Sequence, residues 1–287
     1  MTVAARRAYP TGVPCWVDHE SPDPAAAIDF YAGLFGWQLE DRLPASGGPR
    51  YAVATLGGLT VAAIASDRGA GAPPAWNTYV RVADADDVGV AVEPAGGTLV
   101  APPESAGPAG RSAILRDPAG AELRIWEPGT NGGAEIVNAD GTWNWSNLHT
   151  PDLAGARTFY GALFGWELDT FDLGGMAAHM WRRPGYGDHL AEREPGIRER
   201  QDDSGAPPAF ADAVAWLEVD GIDQLPHWHV TFAVADAAAS AARAEALGGT
   251  ISVEPHGVGP TDVAELRDPL GAPFTVNHFD PARLAAG

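Results

Sequence analysis

Residues 30–37 read FYAGLFGW and residues 159–166 read FYGALFGW, so six of eight letters agree at a spacing of 129. The phrase is too particular for chance hydrophobicity, because its aromatic residues stand at fixed offsets and both copies end in Gly-Trp. Self-similarity of this kind marks repeated architecture. Extended without gaps, SPDPAAAIDFYAGLFGWQLE (21–40) lies on TPDLAGARTFYGALFGWELD (150–169). Phe30, Leu34 and Trp37, like Phe159, Leu163 and Trp166, recur at steps of three and four, the period of an amphipathic helix. Asp23 and Asp152 are placed to cap that helix, and Gly36 and Gly165 to end it in the left-handed conformation that glycine adopts without strain. The stretches VPCWVDHE and TWNWSNLHT before each helix, and RYAVATLGGLTVAAIA after the first, read as strands.

A second pair of repeats has a different spacing. VADA recurs at 82 and 234, GGT at 96 and 248, and LRDPAGAEL (115–123) is answered by LRDPLGAPF (266–274). These blocks are 151 or 152 apart, so against the spacing of 129 the second half carries some 22 extra residues. The polar stretch 182–210 is their natural place, a surface excursion with a short helix in GIRERQ. Around Asp84 and Asp236 the same order recurs: strand, Asp-capped helix, Gly-Gly, then strands ending near a DPxG turn. The chain therefore reads as four βαβββ modules, paired into domains over 10–130 and 140–282. Each half is expected to bury its own core.

Composition narrows the partners. With 18 Lys+Arg against 38 Asp+Glu, the formal charge of −20 would repel nucleic acid and an anionic membrane, leaving a small organic ligand as the expected partner. A lone Cys15 makes no internal disulfide, the opening MTVAARRAYPTG has no apolar leader core, and no run of 18 apolar residues occurs. A cytoplasmic protein is the expectation, as a monomer of two pseudo-symmetric domains or a homodimer. No Ser-His-Asp pattern, phosphate loop or Cys-x-x-Cys stands in the sequence.

The doubled PDxxxAxxFYxxLFGW, the doubled strand-Asp-helix-Gly-Gly block and the doubled LRDPxG resemble the vicinal oxygen chelate superfamily, the group of glyoxalases, bleomycin-resistance proteins and extradiol dioxygenases. The likeness covers about residues 12–128 and 140–280 and is nearest to the tandem glyoxalase-like proteins of actinobacteria. It implies an α+β fold of two glyoxalase-like domains, each a half-open, curled mixed sheet with its helices outside and a ligand in the concave cup. It does not fix a function, since the fold serves isomerases, lyases, dioxygenases and drug-binding proteins alike.

The resemblance also implies where metal ligands would stand: inward-facing His, Gln or Glu on the first and last strands of each module. Counting seven back from each capping Asp gives Trp16, Asn77, Trp145 and His229, and counting four on from the DPxG glycine gives Arg124 and Thr275. Trp, Asn and Arg build no metal site, so no metal cofactor is expected, least of all in the first half. A divalent metal in the second half stays open through Glu218, His229 and either His149 or His227.

Strand alternation supplies the rest of the lining. Trp16, Asp18 and Glu20 share a face, as do Trp145, Asn147 and His149, then Glu122, Arg124 and Trp126, and finally Thr275, Asn277 and Phe279. Candidate ligand-binding residues are Trp16, Asp18, Tyr79, Arg124, Trp126, Trp145, Asn147, Thr275 and Asn277. Trp37 and Trp166, on the helices, read as core; for Trp16 and Trp145 stacking on a ligand and filling a core both stand open. Asp18 with Arg124 reads as a cavity ion pair that could hold a ligand anion, or as a rim salt bridge. His229, His149 and His227 are the catalytic candidates, because imidazole alone exchanges protons near neutral pH without a large shift. Two functions follow. One is a protein that binds or acts on an aromatic, polyketide-like compound without an obligatory metal. The other is a metal- or His-dependent lyase, isomerase or dioxygenase working in the C-terminal cup.

Overall fold

The computed structural model describes residues 9–43, 50–66, 73–173, 176–203 and 206–286. The first module runs β1 (Pro14–Ser21), α1 (Pro24–Phe35), β2 (Gln38–Asp41), β3 (Tyr51–Leu56) and β4 (Leu59–Ser66). The second is β5 (Ala75–Arg81), α2 (Ala85–Ala91), β6 (Thr98–Ser105), β7 (Gly110–Arg116) and β8 (Glu122–Pro128). The third is β9 (Thr142–Thr150), α3 (Leu153–Phe164), β10 (Glu167–Leu173), β11 (Met176–Arg182), α4 (Tyr186–Ala191), α5 (Ile197–Asp203) and β12 (Ala213–Val219). The fourth is β13 (His227–Ala233), α6 (Ala237–Ala246), β14 (Thr250–Val258), β15 (Thr261–Arg267) and β16 (Pro273–Phe279).

Two eight-stranded sheets result, ordered β2-β3-β4-β1-β5-β8-β7-β6 and β10-β11-β12-β9-β13-β16-β15-β14. Within a module the first strand pairs in parallel with the last, and across modules the two first strands pair antiparallel, so both sheets are mixed and open. This is the pair of glyoxalase-like domains that the repeats imply. Among the described residues no helix is long and apolar enough to cross a membrane.

The aromatic residues of the repeated phrase face the opposite half of the molecule, and its last glycine shapes the helix end. The helices start as expected: Asp23 Oδ1 accepts from the Ala26 amide at 3.1 Å, and Asp152 Oδ1 from the Gly155 amide at 2.8 Å. They stop at Gly36 (φ 74°) and Gly165 (φ 66°), left-handed turns that a side chain would strain. The turn directs the next tryptophan across the seam. Trp37 Nε1 donates to the Gly141 carbonyl at 2.8 Å, and Trp166 Nε1 donates to that of Gly12 at 2.6 Å. Tyr31 and Tyr160 donate to Asp268 and Asp117, the DPxG aspartates of the other half, at 3.3 and 3.0 Å. Trp76 and Trp228 in turn donate to those two tyrosine hydroxyls. Between the sheets, Thr78 Oγ1 and Ser146 Oγ meet at 2.7 Å.

Here the sequence expectation of one core per half gives way. Two cores form, and both are shared: α3 residues Phe159 and Tyr160 pack with Val80, Leu115 and Leu123 of the first half, while Phe30, Tyr31 and Trp37 pack with Phe232 and Phe274 of the second. Apolar periodicity records that a face is buried but not against which partner. The fit is close at the Gly-Gly turns. A Cβ on Gly97 would stand 2.3 Å from Phe159 Cε2 and 2.5 Å from the Arg116 carbonyl, whereas one on Gly249 meets Phe30 at 3.0 Å and the Arg267 carbonyl at 2.7 Å. Gly97→Ala is therefore expected to destabilise the protein by about 1–3 kcal/mol and Gly249→Ala by less; urea unfolding of the two variants checks the order.

The extra residues of the second half lie between β11 and β12, the third and fourth strands of their module. GIRERQ enters α5 as expected. The helix α4, which follows a Pro-Gly with no capping side chain, was not anticipated.

Candidate functional site

The two cups differ in how far their own side chains fill them. In the N-terminal cup, β1, β3, β5 and β8 turn Trp16, Asp18, Tyr51, Tyr79 and Arg124 inward, and all but half-buried Tyr51 are buried. Asp18 is the hub: Oδ2 accepts from Tyr79 at 2.5 Å and Tyr51 at 3.3 Å, and Oδ1 from Asn77 at 3.0 Å and Arg124 at 3.4 Å. Arg124 also donates to Tyr79 (2.9 Å) and Glu20 (2.5 Å), Trp16 Nε1 to Tyr51 (3.0 Å), and Trp126 Nε1 to the Asn131 carbonyl (2.8 Å). Burial, reinforced by Glu20, raises the Asp18 carboxyl despite Arg124, and burial likewise raises Tyr79. Asp18 and Arg124 thus form a buried ion pair and not a rim salt bridge. Every strong donor and acceptor at this floor is met from within the protein, so truncating one member strands the others.

The C-terminal cup is open and rich in imidazole. Trp145, Asn147 and His149 on β9 are half-buried, as are His227 on β13 and Thr275 and Asn277 on β16. Across β9 and β13, His149 pairs with His227 and Asn147 with His229. The His149 and His227 rings stack with centroids 4.6 Å apart and planes 10° apart, and His229 stands edge-on to them at 5.7 and 6.1 Å. His149 Nδ1 lies 3.2 Å from Asp220, and His227 Nδ1 2.9 Å from the Leu225 carbonyl. Both partners only accept, so each Nδ1 carries the proton and each Nε2 is left as an acceptor. His229 Nε2 lies 2.8 Å from Thr275 Oγ1. Burial, then the neighbouring His149 and His227, lowers His229 from the usual 6.5 to about 3, and burial followed by His227 lowers His149 as well. His229 is therefore neutral at pH 7.

Aromatic rings flank the histidines. Trp145 meets Phe210 at 5.9 Å and Trp216 at 6.0 Å, both inclined as ring edges prefer. The sequence reading missed Trp216, Phe210 and Asp220. Trp216 stands two residues before Glu218 on the same strand, so alternation alone places it on the cup face; Phe210 ends the irregular insertion, where no period exists. Asn277 binds Asn144 at 2.9 Å, so its amide is engaged at the end of the cup.

A chelated divalent metal needs about three protein donors converging on one point. In the N-terminal cup the implied positions hold Trp16, Asn77 and Arg124, and the guanidinium brings positive charge to where a cation would sit. In the other cup Asn147, and not Trp145, stands opposite His229, and Thr275 is already bonded to it. Among the described residues no three of His, Cys, Asp or Glu gather as a chelate. The set of Glu218, His229 and His149 or His227 left open by the sequence is not assembled. Glu218, His149 and His227 are in register across β12, β9 and β13 and share a face, but stacked imidazoles direct their lone pairs side by side instead of at one point. The residues present do not fit the metal centre that the fold family implies.

The model of the Glyoxalase/Bleomycin resistance protein/Dioxygenase superfamily matches residues 20–125, and that of the glyoxalase-like domain matches residues 145–277. The Mycobacterium tuberculosis protein CFP32, named as a glyoxylase, is 38% identical over 94% of this chain and 96% of its own. The anthracycline biosynthesis protein DnrV of Streptomyces peucetius is 34% identical over 93% of this chain and 94% of its own. In fold the chain is similar to the Mn(II)-bound glyoxalase from Novosphingobium aromaticivorans, with TM-score 0.59, 14% identity and coverage of 93% and 82%. It is also similar to the 2,3-dioxygenase LapB from a Pseudomonas species, with TM-score 0.58, 13% identity and coverage of 94% and 93%.

Proposed function

Because the chain belongs to the glyoxalase/bleomycin resistance protein/dioxygenase superfamily, we propose that its C-terminal cup binds a flat, fused-ring aromatic compound of polyketide type without an obligatory metal. The observation that carries this reading is the pairing of neutral His229 with the Trp145, Phe210 and Trp216 rings in the one cup whose floor is not closed by its own side chains. Two relatives at 34% and 33% identity are named anthracycline biosynthesis proteins, and anthracyclines are compounds of that shape. The rings hold the flat ligand by offset stacking, while Asn147, Thr275 and the free Nε2 acceptors meet its hydroxyl and carbonyl groups. The N-terminal cup serves as scaffold.

A catalytic reading, as a lyase, isomerase or oxygenase, is favoured by the neutral imidazole of His229. An imidazole held unprotonated at pH 7 is ready to remove a proton from a phenol or an activated carbon, and Thr275 orients the ring that does so. Titration with daunorubicin and its aglycone, followed by quenching of their fluorescence, tests binding. A saturable one-to-one complex that weakens in Trp145→Ala is expected. Stoichiometric Fe, Mn, Ni or Zn in the purified protein, or loss of ligand binding on chelation, would sink the metal-independent assignment.

A further inference from the structure

A cavity of about 240 Å³ lies under the inserted helices; Trp145 and Phe210 line it, and His149, His227 and His229 do not. Its walls come from four distant parts of the chain, with Tyr9, Val13, Trp143, Leu190, Ile197 and Val214 in the apolar part of the lining and Asn138, Asn144, His189, Arg193, Glu194 and Gln201 in the polar part. The roof is fixed before any ligand arrives. Asp212 Oδ1 accepts from the Gly187 amide at 2.6 Å, and the Arg183 amide donates to the Asp212 carbonyl at 2.8 Å. Arg198 ties α5 back to Asp188 of α4 at 2.7 Å. The first half has no counterpart, because its β3 and β4 are joined by the tight Gly57-Gly58 turn. The larger cavity, about 520 Å³ at the start of α6, is walled by Asp236, Asp262, His278 and Arg283 on the helix side of its sheet, and Arg283 there is already paired with Asp262.

We propose that the compartment under α4 and α5 is a binding site in its own right for an uncharged, two-ring aromatic group. Its volume falls just below the roughly 300–1,000 Å³ of sites for drug-sized molecules, which suits two fused rings and excludes three or four. The apolar part of its lining rewards burial of such a group at about 25 cal/mol per Å², the polar part meets a ring hydroxyl, and an immobilised roof lowers the ordering cost of binding. The net charge of −20 disfavours an anionic occupant. This site stands whether or not the histidine cup turns anything over.

The test uses the full chain and 2-naphthol, whose own fluorescence reports binding. A saturable complex is expected, with the methyl NMR signals of Val13, Leu190, Ile197 and Val214 shifting along the titration. Leu190→Trp, which fills the compartment from its roof, is expected to weaken the complex at least tenfold at unchanged melting temperature. If that variant does not fold, Ile197→Trp takes its place. Absence of binding up to the solubility limit would overturn the proposal. So would a complex that survives the filling variant, or one whose shifts are confined to the neighbours of His229.

Discussion

Asp268→Ala is expected to destabilise the protein by about 3–5 kcal/mol, the usual cost of removing one partner from a buried, bonded pair. Asp268 sits in the second DPxG turn, where Oδ1 accepts from the Leu270 and Ala272 amides, both at 2.9 Å. Oδ2 meets Tyr31 Oη at 3.3 Å and His19 Nε2 at 2.9 Å, both from the first half of the chain. Alanine leaves three hydrogen-bond donors without their acceptor and removes the carboxylate beside His19, and an unmet buried donor costs about 1–3 kcal/mol before relaxation. Burial alone would raise this carboxyl, but the hydrogen bond and charge of His19 and the two amides bring it below its usual value. A carboxyl lowered in the folded state stabilises fully above its unfolded pKa, near 3.8, and loses that contribution as pH falls further. The penalty of Asp268→Ala in urea unfolding should therefore be larger at pH 5 than at pH 3. A loss below 1 kcal/mol at pH 7 would show that the turn holds without its aspartate.

The pseudo-symmetric partner supplies a control. Asp117 makes the same turn and accepts from Tyr160, but where His19 approaches Asp268 the repeat has Leu148 at the matching position of β9. The second half thus demonstrates that leucine fits there. His19→Leu leaves the Asp268 carboxyl bonded to Tyr31 and the two turn amides, as Asp117 is bonded in its own turn, and is accordingly expected to cost less than Asp268→Ala.

The repeat phrase made the four modules, their capping aspartates and their glycine stops legible from sequence, because each rests on local chemistry. What the phrase packs against was not legible. Phe30, Tyr31 and Trp37 show helical period in the sequence, yet their partners Gly249, Asp268 and Gly141 lie more than 100 residues away. The cups divide in the same way. Alternation grouped Asp18 with Trp16 and Glu20, and Arg124 with Glu122 and Trp126; the hydrogen bonds join Asp18, Tyr79 and Arg124 from three strands. That Tyr51 would join them from β3 and saturate the carboxylate depends on side-chain reach across strands, which no period encodes. It also changes what an Arg124→Ala substitution reports: the residue is a buried member of that network, so the substitution damages the fold of the first half and is a poor probe of ligand binding.

His229→Ala has the other large expected effect. If a proton moves during the reaction, loss of the imidazole should lower turnover by about 10²- to 10⁴-fold, the usual worth of one general acid or base. His229 has the geometry for that role: buried at the floor of the open cup, neutral with its pKa near 3, and oriented by Thr275. Thr275→Val should then give a smaller loss, because it frees the ring to rotate without removing the base. Since His229 stays neutral through the physiological range, no activity limb from its own titration is expected between pH 5 and 8; a limb in that range would point to a group other than His229. If the protein only binds, His229→Ala should cost about 1 kcal/mol for one hydrogen bond, and Trp145→Ala more, through lost stacking on the ligand. Unchanged binding and turnover in both variants, with loss in variants of Trp16 that still fold, would place the site in the N-terminal cup and refute the assignment.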